Sequence, residues 1–298
     1  MSSISSILVP LDGSRAAARS LGCATWLASR LGARLHILSA TSRELPALEA
    51  LARLGVAEEH WSLVELHQAT AYPIDAILAA IARHDAGLVV MSARGAAAEQ
   101  PAVRPVETAK LLGHVTQAVI ERCPVPVLLL PGRYREALPW ERLLVPASGG
   151  TESDEAVVFA VRLARALDLT VHVAHVAATD AKDEDFAGRS RYADELHHEY
   201  RAQLEELVDR ALPAFAPEDR GRVSAVELGH GEVADELARI VARDRISALV
   251  TGWHGQFTSG HAAVLKALIP LIASPIVLVR SPAPPRFRLE VGEHLDGG

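Results

Sequence analysis

Leu88-Val-Val-Met-Ser-Ala-Arg-Gly95 leads through a polar loop to Gly113-His-Val-Thr-Gln-Ala-Val-Ile-Glu-Arg122 and closes on Pro124-Val-Pro-Val-Leu-Leu-Leu130. An apolar run ending in a small-residue turn, then an amphipathic segment, then a second apolar run reads as strand, glycine turn, loop, helix and strand. Continuous apolar runs of this length suit strands covered on both faces, as in a parallel sheet with helices on either side. Such sheets hold their ligand crevice at the carboxyl ends of the strands. The turn at Gly95 and the helix start at Gly113 are therefore expected to face it.

The same arrangement returns near the other end of the chain. Leu249-Val-Thr-Gly-Trp-His-Gly255 matches Val89 to Gly95 position for position, and Ser274-Pro-Ile-Val-Leu-Val279 matches Val125 to Leu130. Ile7-Leu-Val-Pro-Leu-Asp-Gly-Ser14 and Leu143-Leu-Val-Pro-Ala-Ser-Gly-Gly150 stand 136 residues apart, as do the second-strand runs Arg34 to Ala40 and Thr170 to Val176. The chain is a tandem duplication. From Ile7 to Gly95 is 88 residues and from Leu143 to Gly255 is 112, so the second copy is longer by 24, within an insertion at about 177–222 that reads as a polar loop and a charged helix.

Within each copy the periodicity alternates between strands and helices, which implies a mostly parallel sheet. Helices are expected over Arg15 to Leu31, Ile74 to Arg83 and Val233 to Arg243, and third strands around Ser62 to His67 and Val223 to Leu228. Pro270 should kink or shorten the last helix. Domains are expected over 1–135 and 141–282, with an irregular tail over 283–298. The fold class is α/β: two tandem open-sheet domains, each a five-stranded parallel sheet with helices on both faces.

Composition fits this plan. The 298 residues are 49% hydrophobic and 22% charged, which are globular values and leave room for two cores. There is no apolar run long enough for a transmembrane helix and no signal-peptide pattern at Met1, so a cytoplasmic protein without a membrane partner is expected. A net charge of −7 argues against nonspecific nucleic-acid binding. Cys23 and Cys123 sit in apolar contexts and read as buried free thiols.

An aspartate ending a first strand, a glycine turn after a fourth and a glycine at the next helix start form a constellation with chemical meaning. The carboxylate accepts hydrogen bonds from a base or sugar, glycines admit phosphates to the backbone, and a helix N-terminus favours anions. With these residues in order and found twice, the chain resembles the universal stress protein family in its tandem form. The resemblance implies the adenine nucleotide alpha hydrolase-like fold and a binding or scaffolding role in a stress response, with a weak nucleotide hydrolase, or an interaction module that holds no nucleotide, as the alternatives. It also implies ATP or a related adenine nucleotide in copy one, held by Pro10, Asp12, Gly13, Ala40, Ser92, Gly95, Gly113 and His114. In that family the fifth strands pair antiparallel across a dimer, so Val125 to Leu130 should meet Ile276 to Val279 within one chain, leaving room for a homodimer.

Neither copy carries the family signature G-x2-G-x9-G-[S/T] whole. Ser92 stands for its first glycine and His114 for its hydroxyl residue, and the Gly95 to Gly113 spacer is seventeen residues. Copy two keeps Gly252 and Gly255 but has Ser148 for the aspartate and Ala262-Ala263 at the helix start, so it reads as structural or as a site for something else. Arg94, Arg104 and Lys110 read as solvated loop charges that could contact an anion. Nothing places a general base beside Ser14 or Ser92 as nucleophilic catalysis requires. His36 and His172 are equivalent, His172 and His175 point to opposite faces, and the histidines are expected to be structural or solvated, with no metal site assigned.

Overall fold

A computed structural model describes residues 4–95, 111–147, 151–177, 217–257 and 262–280. The first copy runs β1 (Ser6–Pro10), α1 (Arg15–Ala18), α2 (Ser20–Leu31), β2 (Arg34–Ala40), α3 (Ala47–Arg53), a 3-10 turn (Glu58–Leu63), β3 (Val64–Ala69), α4 (Pro73–Arg83), β4 (Leu88–Ser92), α5 (His114–Arg122) and β5 (Val127–Leu130). The second runs β6 (Arg142–Pro146), α6 (Thr151–Leu167), β7 (Thr170–Ala177), α7 (Pro217–Arg220), β8 (Val223–His230), α8 (Val233–Arg243), β9 (Ala248–Trp253), α9 (Ala263–Leu268) and β10 (Ile276–Arg280).

Local chemistry sets several of these boundaries. Ser14 accepts a hydrogen bond from the Ala17 N–H at 3.1 Å and so caps α1. The single helix expected over Arg15 to Leu31 is divided at Arg19. There the Ser20 hydroxyl donates to the Ala17 carbonyl at 2.6 Å, a local bond that competes with the helix ladder. The third strand starts at Val64, later than the periodicity suggests. The residues before it wind into the 3-10 turn, where the Trp61 indole N–H donates to the Val56 carbonyl at 2.9 Å. Pro73 opens α4 at a position that needs no N–H, and α9 ends at Leu268, ahead of Pro270. The polar loop of copy one and most of the insertion in copy two lie outside the described residues.

The strands form one ten-stranded sheet in the order β3-β2-β1-β4-β5-β10-β9-β6-β7-β8. Within each copy all pairings are parallel. The copies join through the antiparallel pair β5 and β10, in which Val277 lies opposite Leu128. Side chains alternate across the strands, so Ile7 and Val9 enter one buried cluster and Leu8 the other. The first cluster takes in Leu27 of α2 and Val161 of α6, and the second takes in Ile77 of α4, Ile120 of α5 and Ile240 of α8. Each contains strand residues of both copies, so the core passes through the seam on both faces. Trp26 of α2 packs on Trp140, with ring centroids 5.2 Å apart. Cys23 and Cys123 are buried and free, and burial pushes their thiols up to about 12 and about 11, which makes them inert. No helix among the described residues is long and apolar enough to cross a membrane.

Candidate functional site

The copy-one crevice is assembled where three chain segments leave the carboxyl edge of the sheet. Beyond β1 the Leu11 N–H still bonds the Leu38 carbonyl at 2.8 Å, so Asp12 emerges just past the edge. Gly13, at φ +79°, turns the chain in a conformation that side chains resist. The Ser14 N–H then donates to Asp12 Oδ1 at 3.0 Å, an Asx-type turn that fixes the carboxylate. Beyond β4 the Ala93 N–H continues the ladder to the Leu130 carbonyl at 2.8 Å, and the Gly113 N–H returns to the Ala93 carbonyl at 2.8 Å. This last bond brings the start of α5 to the end of β4.

Gly95 lies directly against Asp12. A β-carbon there would stand 2.2 Å from Asp12 Oδ2, so the glycine makes room for the carboxylate. Ser92 donates its hydroxyl to the Arg94 carbonyl at 2.7 Å, and Thr116 donates to the Ser92 carbonyl at 3.1 Å. Both hydroxyls therefore brace the turn. Gly113 caps α5 in extended backbone with no side-chain cap, leaving the N–H groups of the first turn facing the crevice.

The crevice has a volume of about 290 Å³. Pro10, Asp12, Ala40, Ser92, Gly95, Gly113 and His114 all line it. Gly13, assigned to the same site from the sequence, shapes the turn and does not line the crevice. Sequence reasoning missed the apolar wall of Leu38, Ile77 and Met91 and the brace at Thr116. The apolar pattern identified these wall residues only as core. Thr116, three positions after Gly113 on an amphipathic helix, carried a usable signal, since that spacing turns it inward. Arg104 and Lys110 lie outside the described residues. The crevice is lined by an exposed carboxylate, a helix N-terminus and an apolar wall.

The equivalent crevice of copy two, about 410 Å³, has a different chemistry. Leu237, Leu265 and Leu268 line it, and α9 starts from Ala262 at φ +57° with no side-chain cap. With six residues, that helix is a poor anion site. The His175 Nδ1 lies 2.7 Å from the Ala147 carbonyl, and Ser148 is outside the described residues. Trp253 stacks against Phe257 at 4.5 Å and donates its indole N–H to the Ile120 carbonyl at 3.2 Å. This last contact ties the second crevice to α5 of the first copy.

Comparison with known proteins agrees with the doubled architecture. The sequence pattern of the Universal stress protein family matches residues 41–131 and 139–280. Similar solved structures include a protein of Pseudomonas aeruginosa UCBPP-PA14 assigned as a universal stress protein, with 17% identity, a TM-score of 0.62 and 93% of each chain covered. A functionally unknown protein of Pseudomonas aeruginosa PAO1 has 17% identity and a TM-score of 0.62, over 93% of this chain and 92% of that one. A universal stress protein of Archaeoglobus fulgidus DSM 4304 has 15% identity and a TM-score of 0.57, over 92% of this chain and 96% of that one. No curated protein matches the sequence. At these identities the solved structures establish the fold. The two family matches, which together take in most of the chain, establish more: the chain belongs to the universal stress protein family, with two copies of the family's domain in tandem.

Proposed function

We propose that the protein is a ligand-responsive binding protein whose copy-one crevice takes ATP or a related adenine nucleotide. The observation that carries this reading is the lining of the crevice, which brings together the Asp12 carboxylate, the N-terminus of α5 and an apolar wall. Leu38, Ile77 and Met91 offer a flat base a place out of water. Asp12 accepts from the base or sugar, and the N–H groups of the first turn of α5, beginning at His114, receive the phosphates. Ser92 and Thr116 are committed to backbone carbonyls, so His114 is the phosphate-side side chain. Without the family's hydroxyl at that place, affinity should lie about 10- to 100-fold below that of a complete signature, the equivalent of one or two lost polar contacts. Copy two, with leucines in its crevice and a short helix, serves structure or another ligand.

A covalent serine route to hydrolysis has no support in the crevice, where Ser14 accepts the Ala17 N–H and Ser92 donates to a carbonyl. Among the described residues neither hydroxyl has a histidine partner of the kind that activates a nucleophile. Mass spectrometry of the compound released from the native protein, followed by calorimetric titration with ATP, tests the reading. Asp12→Ala should weaken binding at least about tenfold, whereas Thr251→Ala in the second crevice should leave it unchanged. Unaltered binding by Asp12→Ala would move the site elsewhere, and steady release of inorganic phosphate would make the protein a hydrolase.

A further inference from the structure

The far end of copy one, away from the crevice, brings three histidines together. His36 lies in β2, His67 lies in β3 opposite Leu38, and His84 follows the last turn of α4. None of them lines the crevice. His36 Nδ1 is 2.9 Å from His67 Nε2, and the His84 ring lies 4.8 Å from that of His36 and 4.0 Å from that of His67, centroid to centroid. One nitrogen from each ring falls within 4.8 Å of the others.

The second copy supplies an internal control. His172 replaces His36, Glu227 sits opposite Ala174 as His67 sits opposite Leu38, and Asp244 follows α8 as His84 follows α4. Charge is balanced there within the protein. Arg243 donates to both carboxylates, and the His172 nitrogens lie 3.1 and 3.3 Å from Glu227 and Asp244. The 3.1 Å approach is too poorly aligned to count as a hydrogen bond, so that pair is electrostatic.

In copy one both carboxylates have become imidazoles. A single proton can serve the His36–His67 contact, and among the described residues the His84 ring has only its stacking partners. The His36 ring is 1% exposed, and its Nε2 is buried without a hydrogen-bond partner. Burial first, and the neighbouring rings after it, hold His36 and His67 below the ordinary histidine range. Glu65, with Oε2 3.4 Å from His36 Nδ1, adds a carboxylate at the rim.

We propose that His36, His67 and His84 form a site for a divalent transition-metal cation of the zinc class, with Glu65 as the fourth ligand. Three imidazoles and a carboxylate match zinc's preference for four mixed nitrogen and oxygen donors, and are too nitrogen-rich for magnesium or calcium. Bound metal would fasten the edge strand β3 to β2 and to the end of α4, which makes this corner of the sheet metal-dependent in its stability.

The test uses tag-free, full-length protein stripped with a chelator and dialysed. It is titrated with Zn²⁺ by calorimetry and with Co²⁺ by visible absorption. The expected result is one saturable site per chain, a melting temperature that rises with Zn²⁺, and the intense visible bands of four-coordinate cobalt. His67→Ala and His84→Ala, both at partly exposed positions, should weaken Zn²⁺ binding by more than the ~10–100-fold that losing an outer-shell partner costs. His230→Ala, exposed in copy two, should have no effect. Absence of saturable binding, or equal affinity in wild type and the two variants, overturns the proposal. Should a variant fail to fold, the wild-type cobalt spectrum decides, and the weak absorption of six-coordinate cobalt refutes the site.

Discussion

Gly95 and Asp12 illustrate how a residue the sequence points to can line the crevice for a different reason. Both are recognisable as site residues from their place after a strand, and Gly95 suggested a phosphate-binding turn. The structure gives it a steric task, because the contact with Asp12 joins positions far apart in the chain and leaves no local trace. Gly95→Ala should push the carboxylate aside and, like Asp12→Ala, is expected to lower nucleotide affinity by about 10- to 100-fold, with the melting temperature nearly unchanged. Calorimetry beside a thermal melt reads both. The histidine triad is the opposite case. Positions 36, 67 and 84 form no recognisable spacing, since their meeting depends on the register of β2 against β3 and on the length of α4. Arg243 yields a pH-dependent prediction. Its hydrogen bonds, and then its charge, hold the carboxyls of Glu227 and Asp244 below their ordinary range. Stability from this source is fully present above the ordinary carboxyl pKa of about 4 and is lost as pH falls through the depressed folded values. Arg243→Gln should therefore cost about 1 kcal/mol at neutral pH, given the partial exposure of the network. The gap from wild type in melting temperature should close on acidification toward pH 3.

Among the elements, those with long apolar runs were legible and those decided by side-chain hydrogen bonds were not. The strands and the helices Val233–Arg243 and Pro73–Arg83 follow the hydrophobic period closely. The break after α1 depends on a serine hydroxyl choosing a carbonyl, and the late start of β3 on an indole doing the same. Neither choice has a period. The seam strands are the most sensitive test of packing. Val277 is 1% exposed and paired with Leu128 in the middle of the joined sheet. Val277→Asp should destabilise by about 3–5 kcal/mol, the range for an uncompensated buried charge. Val264→Asp, at 41% exposure on α9, should stay within about 0.5 kcal/mol of wild type. Chemical denaturation of the two variants side by side supplies the comparison.

The duplication was the most legible feature of the chain, because matching strand runs recur at one offset until the insertion. How the duplicates meet was legible only through the family resemblance, which implies antiparallel fifth strands, since the two apolar runs themselves state that a partner is needed without fixing its register or direction. In the folded protein the antiparallel pair β5 and β10 makes one sheet of ten strands and one core on each face. A pair of separate, identical chains associating the same way would be bound by symmetry: any substitution in one half would appear in the other, and assembly would depend on dilution. Covalent fusion removes both constraints. Each half is free to drift while its neighbour holds the shared sheet together. A carboxylate can persist at Asp12 on one side while leucines line the other crevice, and two imidazoles can stand in one copy where the other keeps two carboxylates. The seam is thus a licence for asymmetry, allowing one chain to keep two specialised ends where a symmetric assembly would be held to two copies of the same one.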